Sequence, residues 1–219
     1  MGATLEADSL YRFFHAGDDE TLALQGVSIA IDAGEIVAVT GPSGSGKSTL
    51  LSCLAGLDEP DGGQVRIEGE RLTRRPEEER ARMRGRRVGV LYQDSNLVGH
   101  LSVQANVEVA QRLGEHHRGS ALDVLRVCEI DHRAHSRPSQ LSGGELARAG
   151  LAVALANDPA VLLADEPTGE LDSLTAEKII ALLRERATGG TALLVATHSP
   201  QVAASADREI RLRDGRVEE

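Results

Sequence analysis

Glu35–Ala55 reads EIVAVTGPSGSGKSTLLSCLA, and it changes character twice along its length. Ile36, Val37, Ala38 and Val39 are small or β-branched apolar residues of a buried strand, which breaks at Thr40-Gly41. Gly41-Pro42-Ser43-Gly44-Ser45-Gly46 follows, then Lys47, Ser48 and Thr49, then the helix formers Leu50, Leu51, Leu54 and Ala55. Strand, glycine-rich loop and helix, with GxxxxGK[ST] across the junction, form the context of a phosphate-binding loop. Its glycines let successive N–H groups converge on an anion, and the helix N-terminus adds partial positive charge. Gly41, Pro42, Ser43, Gly44, Ser45, Gly46, Lys47, Ser48 and Thr49 are therefore the expected phosphate-binding set. Lys47 is expected to reach the β- and γ-phosphates, and the Ser48 hydroxyl to complete a Mg²⁺ shell of phosphate and water oxygens. A plain Gly/Ser turn is the blander reading, and the complete motif in its correct context argues against it.

The rest of the composition narrows the class. A chain of 219 residues can bury a sizeable core, and 41% hydrophobic with 26% charged residues is ordinary for a globular protein. The net charge of −10 argues against broad nucleic-acid affinity, which calls for a basic footprint. No apolar run approaches the roughly 20 residues that span a bilayer. The start MGATLEADSLYRF lacks a basic segment followed by an apolar core, so no signal peptide is expected. Cys53 and Cys128 sit in apolar contexts without metal or disulfide spacing, which suits a reducing, cytoplasmic setting.

Around the loop, residues 1–34 read as β-rich, with alternation in Leu22–Leu24 and Val27–Ile31 and a turn at Asp32-Ala33-Gly34. Gln64–Ile67 adds a short strand with a turn at Glu68-Gly69-Glu70, so an antiparallel β-subdomain is expected from 1–34 and 62–72. Residues 71–87 hold eight arginines with Glu77, Glu78 and Glu79 among them and no aromatic residue to stack on bases. Mixed charge at helical spacing predicts a solvated, ion-paired helix. Arg87–Tyr92 reads as a second core strand. An α-helical subdomain is expected over 94–157, including a helix from Glu145 to Ala156. Ala160–Ala164 and Thr191–Ala196 are continuous apolar runs, as in parallel strands buried on both faces. A helix over Leu174–Arg186 lies between them, and the tail from Glu209 closes as a hairpin. The expected fold is α/β: a P-loop core with a mainly parallel sheet (35–61, 86–93 and 158–219), an antiparallel β-subdomain and an α-helical subdomain.

Four of these strands end in chemistry: the loop after Val39, Gln93, Asp165-Glu166 and His198. Ligands of open parallel sheets bind at the strands' C-terminal edge, so these signals converge on one place. The set fits phosphoryl transfer to water. Asp165 is expected to hold Mg²⁺, Glu166 to orient and polarise the attacking water, and His198 to contact the γ-phosphate. Gln93 can touch the metal or the water. Taken singly, an Asp-Glu pair after a strand is often a helix cap and a lone His often structural. Leu141-Ser142-Gly143-Gly144-Glu145 supplies a second anion-binding helix N-terminus. One nucleotide does not need two such sites on one chain, and a head-to-tail dimer resolves the surplus.

Together the motifs resemble the nucleotide-binding subunit of an ABC (ATP-binding cassette) transporter, over essentially the whole chain. Walker A is GPSGSGKST (Gly41–Thr49), the Q-loop is LYQ ending at Gln93, and the signature is LSGGE (Leu141–Glu145). Walker B is VLLADE (Val161–Glu166), the D-loop is GELD (Gly169–Asp172), and the switch histidine is His198 in VATHS. The resemblance implies that ATP and Mg²⁺ are the cofactors and that Ser142, Gly143, Gly144, Glu145 and Asp172 contact nucleotide. It implies that an aromatic residue ahead of the first core strand stacks on adenine: Phe14, with Tyr11 as the other candidate. DEPTGELD (Asp165–Asp172) looks most like the bacterial branch of lipoprotein-release, macrolide-export and cell-division subunits. That branch implies a transmembrane permease partner received near Asn96 to Asn106, and a place on the inner face of the cell membrane. The chain departs from the family in Glu145, where Gln is commoner, and in Val153, where an Arg is usual.

Two other classes fit less well. ABC-type ATPases of DNA repair split the head with a long coiled coil, and those of translation carry two cassettes, whereas this chain reads as one uninterrupted unit. A GTPase needs an [NT]KxD motif, and the only lysines are Lys47 and Lys178.

Overall fold

A computed structural model describes residues 2–16, 19–93, 96–114, 119–169 and 171–218. In chain order the strands and helices are β1 (Leu5–Ala16), β2 (Asp19–Ile31), β3 (Ile36–Thr40), α1 (Lys47–Leu54), β4 (Gly62–Ile67), β5 (Glu70–Arg71), α2 (Glu77–Arg87) and β6 (Val88–Leu91). They continue with α3 (Val103–Gly114), α4 (Ala121–Val127), α5 (Gly143–Ala154), β7 (Val161–Asp165), α6 (Ser173–Thr188), β8 (Ala192–Ala196), α7 (Pro200–Ser205), β9 (Arg208–Arg213) and β10 (Arg216–Val217).

The larger sheet has the order β10-β9-β3-β8-β7-β6, and β9, β3, β8, β7 and β6 run parallel. Alternation splits each apolar strand between two cores. Val161 and Leu163 of β7 and Ala192, Leu194 and Ala196 of β8 face the core that holds α1 and the smaller sheet. Leu162, Ala164, Leu193 and Val195 face the core filled by α3, α5 and α6. That double burial is why these strands read as unbroken apolar runs, and it leaves only their C-terminal ends free for polar chemistry.

The smaller sheet, β2-β1-β4-β5, is antiparallel throughout. Leu5, Leu10, Leu24, Ile31 and Ile67 are fully buried against α1, whose Leu50 and Leu54 are likewise buried. Each such side chain contributes about 1.5–3 kcal/mol, so α1, and with it the loop ahead of it, is clamped between two sheets.

The arginine-rich stretch forms α2, which buries only Met83. Arg80 pairs with Glu77 and Glu59, Arg82 with Glu78, Arg84 with Glu77, and Arg75 with Glu70 and Glu79. Glu77–Glu79 at its start and Arg84, Arg86 and Arg87 at its end also suit the helix dipole. The solvated, ion-paired helix expected there is what forms.

Boundaries differ from expectation in small, explicable ways. α5 starts at Gly143 rather than Glu145, because Ser142 caps it, and ends at Ala154. α6 runs two residues further at its end, to Thr188. The closing hairpin does more than pair with itself: β9 also lies parallel to β3. α7 was not anticipated; it is a short helix started by Ser199 and Pro200. Cys53 and Cys128 are free and buried, and burial pushes both thiols up to about 12. Among the described residues no helix is long and apolar enough to cross a membrane.

Candidate functional site

The loop between β3 and α1 is shaped by three glycines with positive φ: Gly41 at 145°, Gly44 at 79° and Gly46 at 104°. Two of them are enclosed. A Cβ on Gly41 would lie 2.0 Å from the Leu212 carbonyl oxygen, and one on Gly46 2.5 Å from that of Ala23. Gly44 has open space where a Cβ would stand, so its backbone can be approached from outside. The first intrahelical bond runs from Leu50 N–H to Gly46 O at 2.8 Å, so the N–H groups of Lys47, Ser48 and Thr49 precede it, and no side chain caps the helix. Lys47 Nζ donates to the carbonyls of Gly41 at 2.8 Å and Pro42 at 3.0 Å. Its ammonium group therefore lies across the loop.

A cleft of about 610 Å³ opens at this edge, lined by Gly41, Ser43, Gly44, Gly46, Lys47, Ser48 and Thr49 together with Gln93, Asp165, Glu166 and His198. The four strand ends thus converge as the parallel sheet requires. Pro42 and Ser45, expected among the phosphate ligands, do not line it. Proline has no N–H to offer, and Ser45 is turned inward, its side chain buried beneath Gly41.

Ser48 Oγ donates to Asp165 Oδ2 at 2.9 Å. A hydroxyl and a carboxylate, with the Gln93 amide on the same cleft, form a hard oxygen donor set. Among the described residues no three His, Cys, Asp or Glu side chains form a metal cage. The hydroxyl and carboxylate fit Mg²⁺, which keeps waters and substrate phosphates as its other ligands.

Glu166 has φ of 47°, a conformation that costs a non-glycine residue of order 1–3 kcal/mol. Its N–H bonds to Ala196 O at 2.9 Å, which continues the β7–β8 ladder by one step and holds the strain. Its carboxylate, with only 12% of the side chain exposed, accepts from Thr197 Oγ1 at 3.1 Å and His198 N at 3.3 Å and meets His198 Nδ1 at 2.7 Å.

Of the two aromatic candidates, Phe14 lines the cleft. The Arg12 guanidinium carbon lies 4.7 Å from the Phe14 ring centroid and is anchored by Asp58 and Asp61. Tyr11 packs instead against Gly62 and Gly26.

Ser142, Gly143, Gly144, Glu145 and Asp172 do not line the cleft. Ser142 caps α5 in a reciprocal box with Glu145: the Ser142 N–H and Oγ donate to Glu145 Oε2 at 2.8 and 2.9 Å. These bonds and Arg133, 2.8 Å from Oε1, hold the Glu145 carboxyl down to about 2. Asp172 caps α6 through Thr175 and Leu174, and the Thr175 hydroxyl lowers its pKa. Glu170 of the GELD stretch, like Asp94 and Ser95 after Gln93, lies outside the described residues.

Residues 24–169 match the family model described as "ABC transporter". The chain belongs to the ABC transporter ATP-binding family. The cassette is 40% identical over 222 residues to an uncharacterized ABC transporter ATP-binding protein of Thermotoga maritima, covering all of this chain and 95% of that one. It is 38% identical over 221 residues to the macrolide export ATP-binding/permease protein MacB of Photorhabdus laumondii, covering 99% of this chain but only 34% of that protein. Among solved structures it superposes with a TM-score of 0.91 and 36% identity on the dimeric post-hydrolysis state of the cassette MJ0796 bound to ADP and Pi, covering 98% of this chain and 97% of that one. The cassette is accordingly an ATP-binding, ATP-hydrolysing α/β unit of ABC type.

Contributors that the sequence reading does not reach include Thr21, Leu22, Ala23 and Gln25 of β2, which line the cleft, and three residues further along the chain. Thr197 holds Glu166 through a hydroxyl that reads as ordinary strand-end polarity. Asp214 and Gly215 line the cleft from the closing hairpin. Gly215 N–H bonds to Ser45 O at 3.0 Å and Gln25 N–H to Gly215 O at 2.8 Å, so the hairpin ties the P-loop to β2. An Asp-Gly turn signals only a turn; its place here follows from the pairing of β9 with β3.

Proposed function

We propose that the cassette works in pairs: it closes head to tail on a second copy or a homologous subunit around ATP, reopens on hydrolysis, and passes that motion to a transmembrane permease. The observation that carries this reading is the separation, within one chain, of two anion-seeking helix starts. The P-loop cleft holds Lys47, Ser48, Asp165, Glu166 and His198, whereas Ser142-Gly143-Gly144 lines no part of it; Gly143 lines a smaller neighbouring cavity that Gln93 and Glu166 also border. A triphosphate seated on one chain's P-loop is completed by the other chain's Ser-Gly-Gly.

In this reading Phe14 stacks on adenine, and the loop N–H groups with Lys47 hold the β- and γ-phosphates. Ser48 and Asp165 hold Mg²⁺ with Gln93 beside them; the ion, when bound, neutralises charge on the β- and γ-oxygens. Glu166 orients the attacking water and accepts its proton, and His198 holds that carboxylate and faces the γ-phosphate. Asp172 serves at the junction of the two chains.

The membrane arm rests on the permease-bearing relatives and on the segment after Gln93. Asn96 accepts from Tyr92 N at 2.9 Å and Asn106 from Val98 N at 2.6 Å, and the Tyr92 and Val98 side chains are exposed. The permease, joined in one polypeptide or separate, places the cassette at the cytoplasmic face of the membrane. No nucleic-acid role is proposed, since Arg80, Arg82, Arg84 and Arg87 of α2 are engaged by carboxylates.

The test is Glu166→Gln with ATP and Mg²⁺, followed by light scattering. An ATP-dependent dimer is expected; a species that stays monomeric at high protein concentration overturns the paired reading.

A further inference from the structure

The signature of this chain carries a charge problem. A helix N-terminus presents roughly half a positive charge, and Glu145 sets a full negative charge on the first turn of α5. Left alone, that carboxylate outweighs the helix, and the Ser142-Gly143-Gly144 turn would repel phosphate. A glutamine at this position creates no such conflict.

The structure also holds the compensation. One carboxylate oxygen, Oε2, is taken up by Ser142 N and Oγ in the capping box. The other, Oε1, meets Arg133 Nε at 2.8 Å, from the 3₁₀ turn Asp131–Arg133, with His132 Nε2 at 3.5 Å. The Glu145 side chain is 13% exposed and that of Arg133 43%, so the guanidinium neutralises the carboxylate through a short, charge-assisted contact at a partly buried position. With Arg133 in place the sum returns to the helix's own partial positive charge.

We propose that Arg133 is a positioning residue for the signature: by neutralising Glu145 it lets the Ser142-Gly143-Gly144 turn accept the phosphates of a nucleotide bound to the other cassette. This rests on the head-to-tail reading above. Arg133 touches no nucleotide; it acts through Glu145.

The experiment uses the Glu166→Gln parent, its Arg133→Ala variant, and Arg133→Ala combined with Glu145→Gln. ATP affinity of the monomer and ATP-dependent dimerisation are measured for each. Arg133→Ala should leave monomer ATP affinity unchanged and weaken dimerisation roughly tenfold or more, the scale of one charge-assisted hydrogen bond. Adding Glu145→Gln should restore dimerisation, because it removes the charge that needed neutralising. A merely structural Arg133 would lose dimerisation only in step with lost folding stability, so thermal melts of all three proteins accompany the assay. A dimer of equal strength in parent and Arg133→Ala, or a double variant no better than the single, overturns the role of Arg133 and leaves the paired reading standing. No ATP-dependent dimer in the parent overturns both.

Discussion

The Glu166 carboxylate and the His198 imidazole meet at 2.7 Å, bridging the ends of β7 and β8, and Thr197 and the His198 N–H hold the carboxylate's other oxygen. Glu166 is thereby fixed in a backbone conformation that few non-glycine residues adopt. The two residues act as one unit, which has a kinetic consequence. Glu166→Gln should lower kcat by about 10²–10⁴-fold, the range for losing a general base, with ATP binding retained. His198→Ala should also lower kcat. The double variant should be little worse than Glu166→Gln alone, because members of one unit are not additive. Single-turnover hydrolysis with labelled ATP reads all three; multiplicative losses would show that the two residues act independently.

Lys47 bridges the Gly41 and Pro42 carbonyls at 2.8 and 3.0 Å, so its removal deletes both a phosphate-seeking cation and two ties within the loop. Lys47→Ala should weaken ATP binding at least tenfold, the loss expected from one charged hydrogen bond of about 1.5–3 kcal/mol. Titration calorimetry checks this, and unchanged affinity would remove Lys47 from the phosphate site.

The parts legible from sequence were those where one local pattern has one physical solution. GPSGSGKST after an apolar strand admits few other folds, and the double-sided burial of Val161–Ala164 and Ala192–Ala196 is written in their unbroken apolarity. The strand ends alone bring Gln93, Asp165, Glu166 and His198 to one edge, where the cleft lies. What stayed hidden depends on distant pairing. The role of Gly215 needs β9 beside β3, and the inward turn of Ser45 needs the carbonyl of Leu212 packed on Gly41. Arg133 and Glu145 are twelve residues apart across a 3₁₀ turn, at a spacing that no helix or strand period brings together.

Acid should act on the signature. The folded Glu145 carboxyl lies near 2, first because of the Ser142 N–H and then Arg133, well below its ordinary 4.5. A depressed carboxyl contributes stability that is fully present above the unfolded value and is lost as pH falls toward the folded one. The contribution should thus be constant down to about pH 4.5 and fade between there and 2. Glu145→Gln removes this limb, so thermal melts of that variant should fall less steeply across that window than those of the parent. Parallel curves would mean that the capping box adds no pH-dependent stability.

Gly143 and Gly144 are adjacent in sequence but differ in what surrounds them. A Cβ on Gly144 would stand 2.5 Å from Thr175 Cγ2, so this glycine lets α5 approach α6. Thr175 has little freedom to move away, because its hydroxyl bonds to Asp172 at 2.7 Å. A Cβ on Gly143 meets nothing closer than Leu171 Cδ2 at 3.9 Å. Gly144→Ala should therefore destabilise the fold by about 1–3 kcal/mol through overpacking. Gly143→Ala should melt at or slightly above the parent temperature, since alanine is the better helix former. In the head-to-tail dimer proposed above, a partner's phosphate approaches the Gly143 backbone, so the alanine variant should lose ATP-dependent dimerisation while keeping monomer ATP affinity. Melting curves and light scattering on the two variants separate packing from contact. A Gly143→Ala protein that still dimerises with ATP would place the phosphate contact elsewhere on the signature.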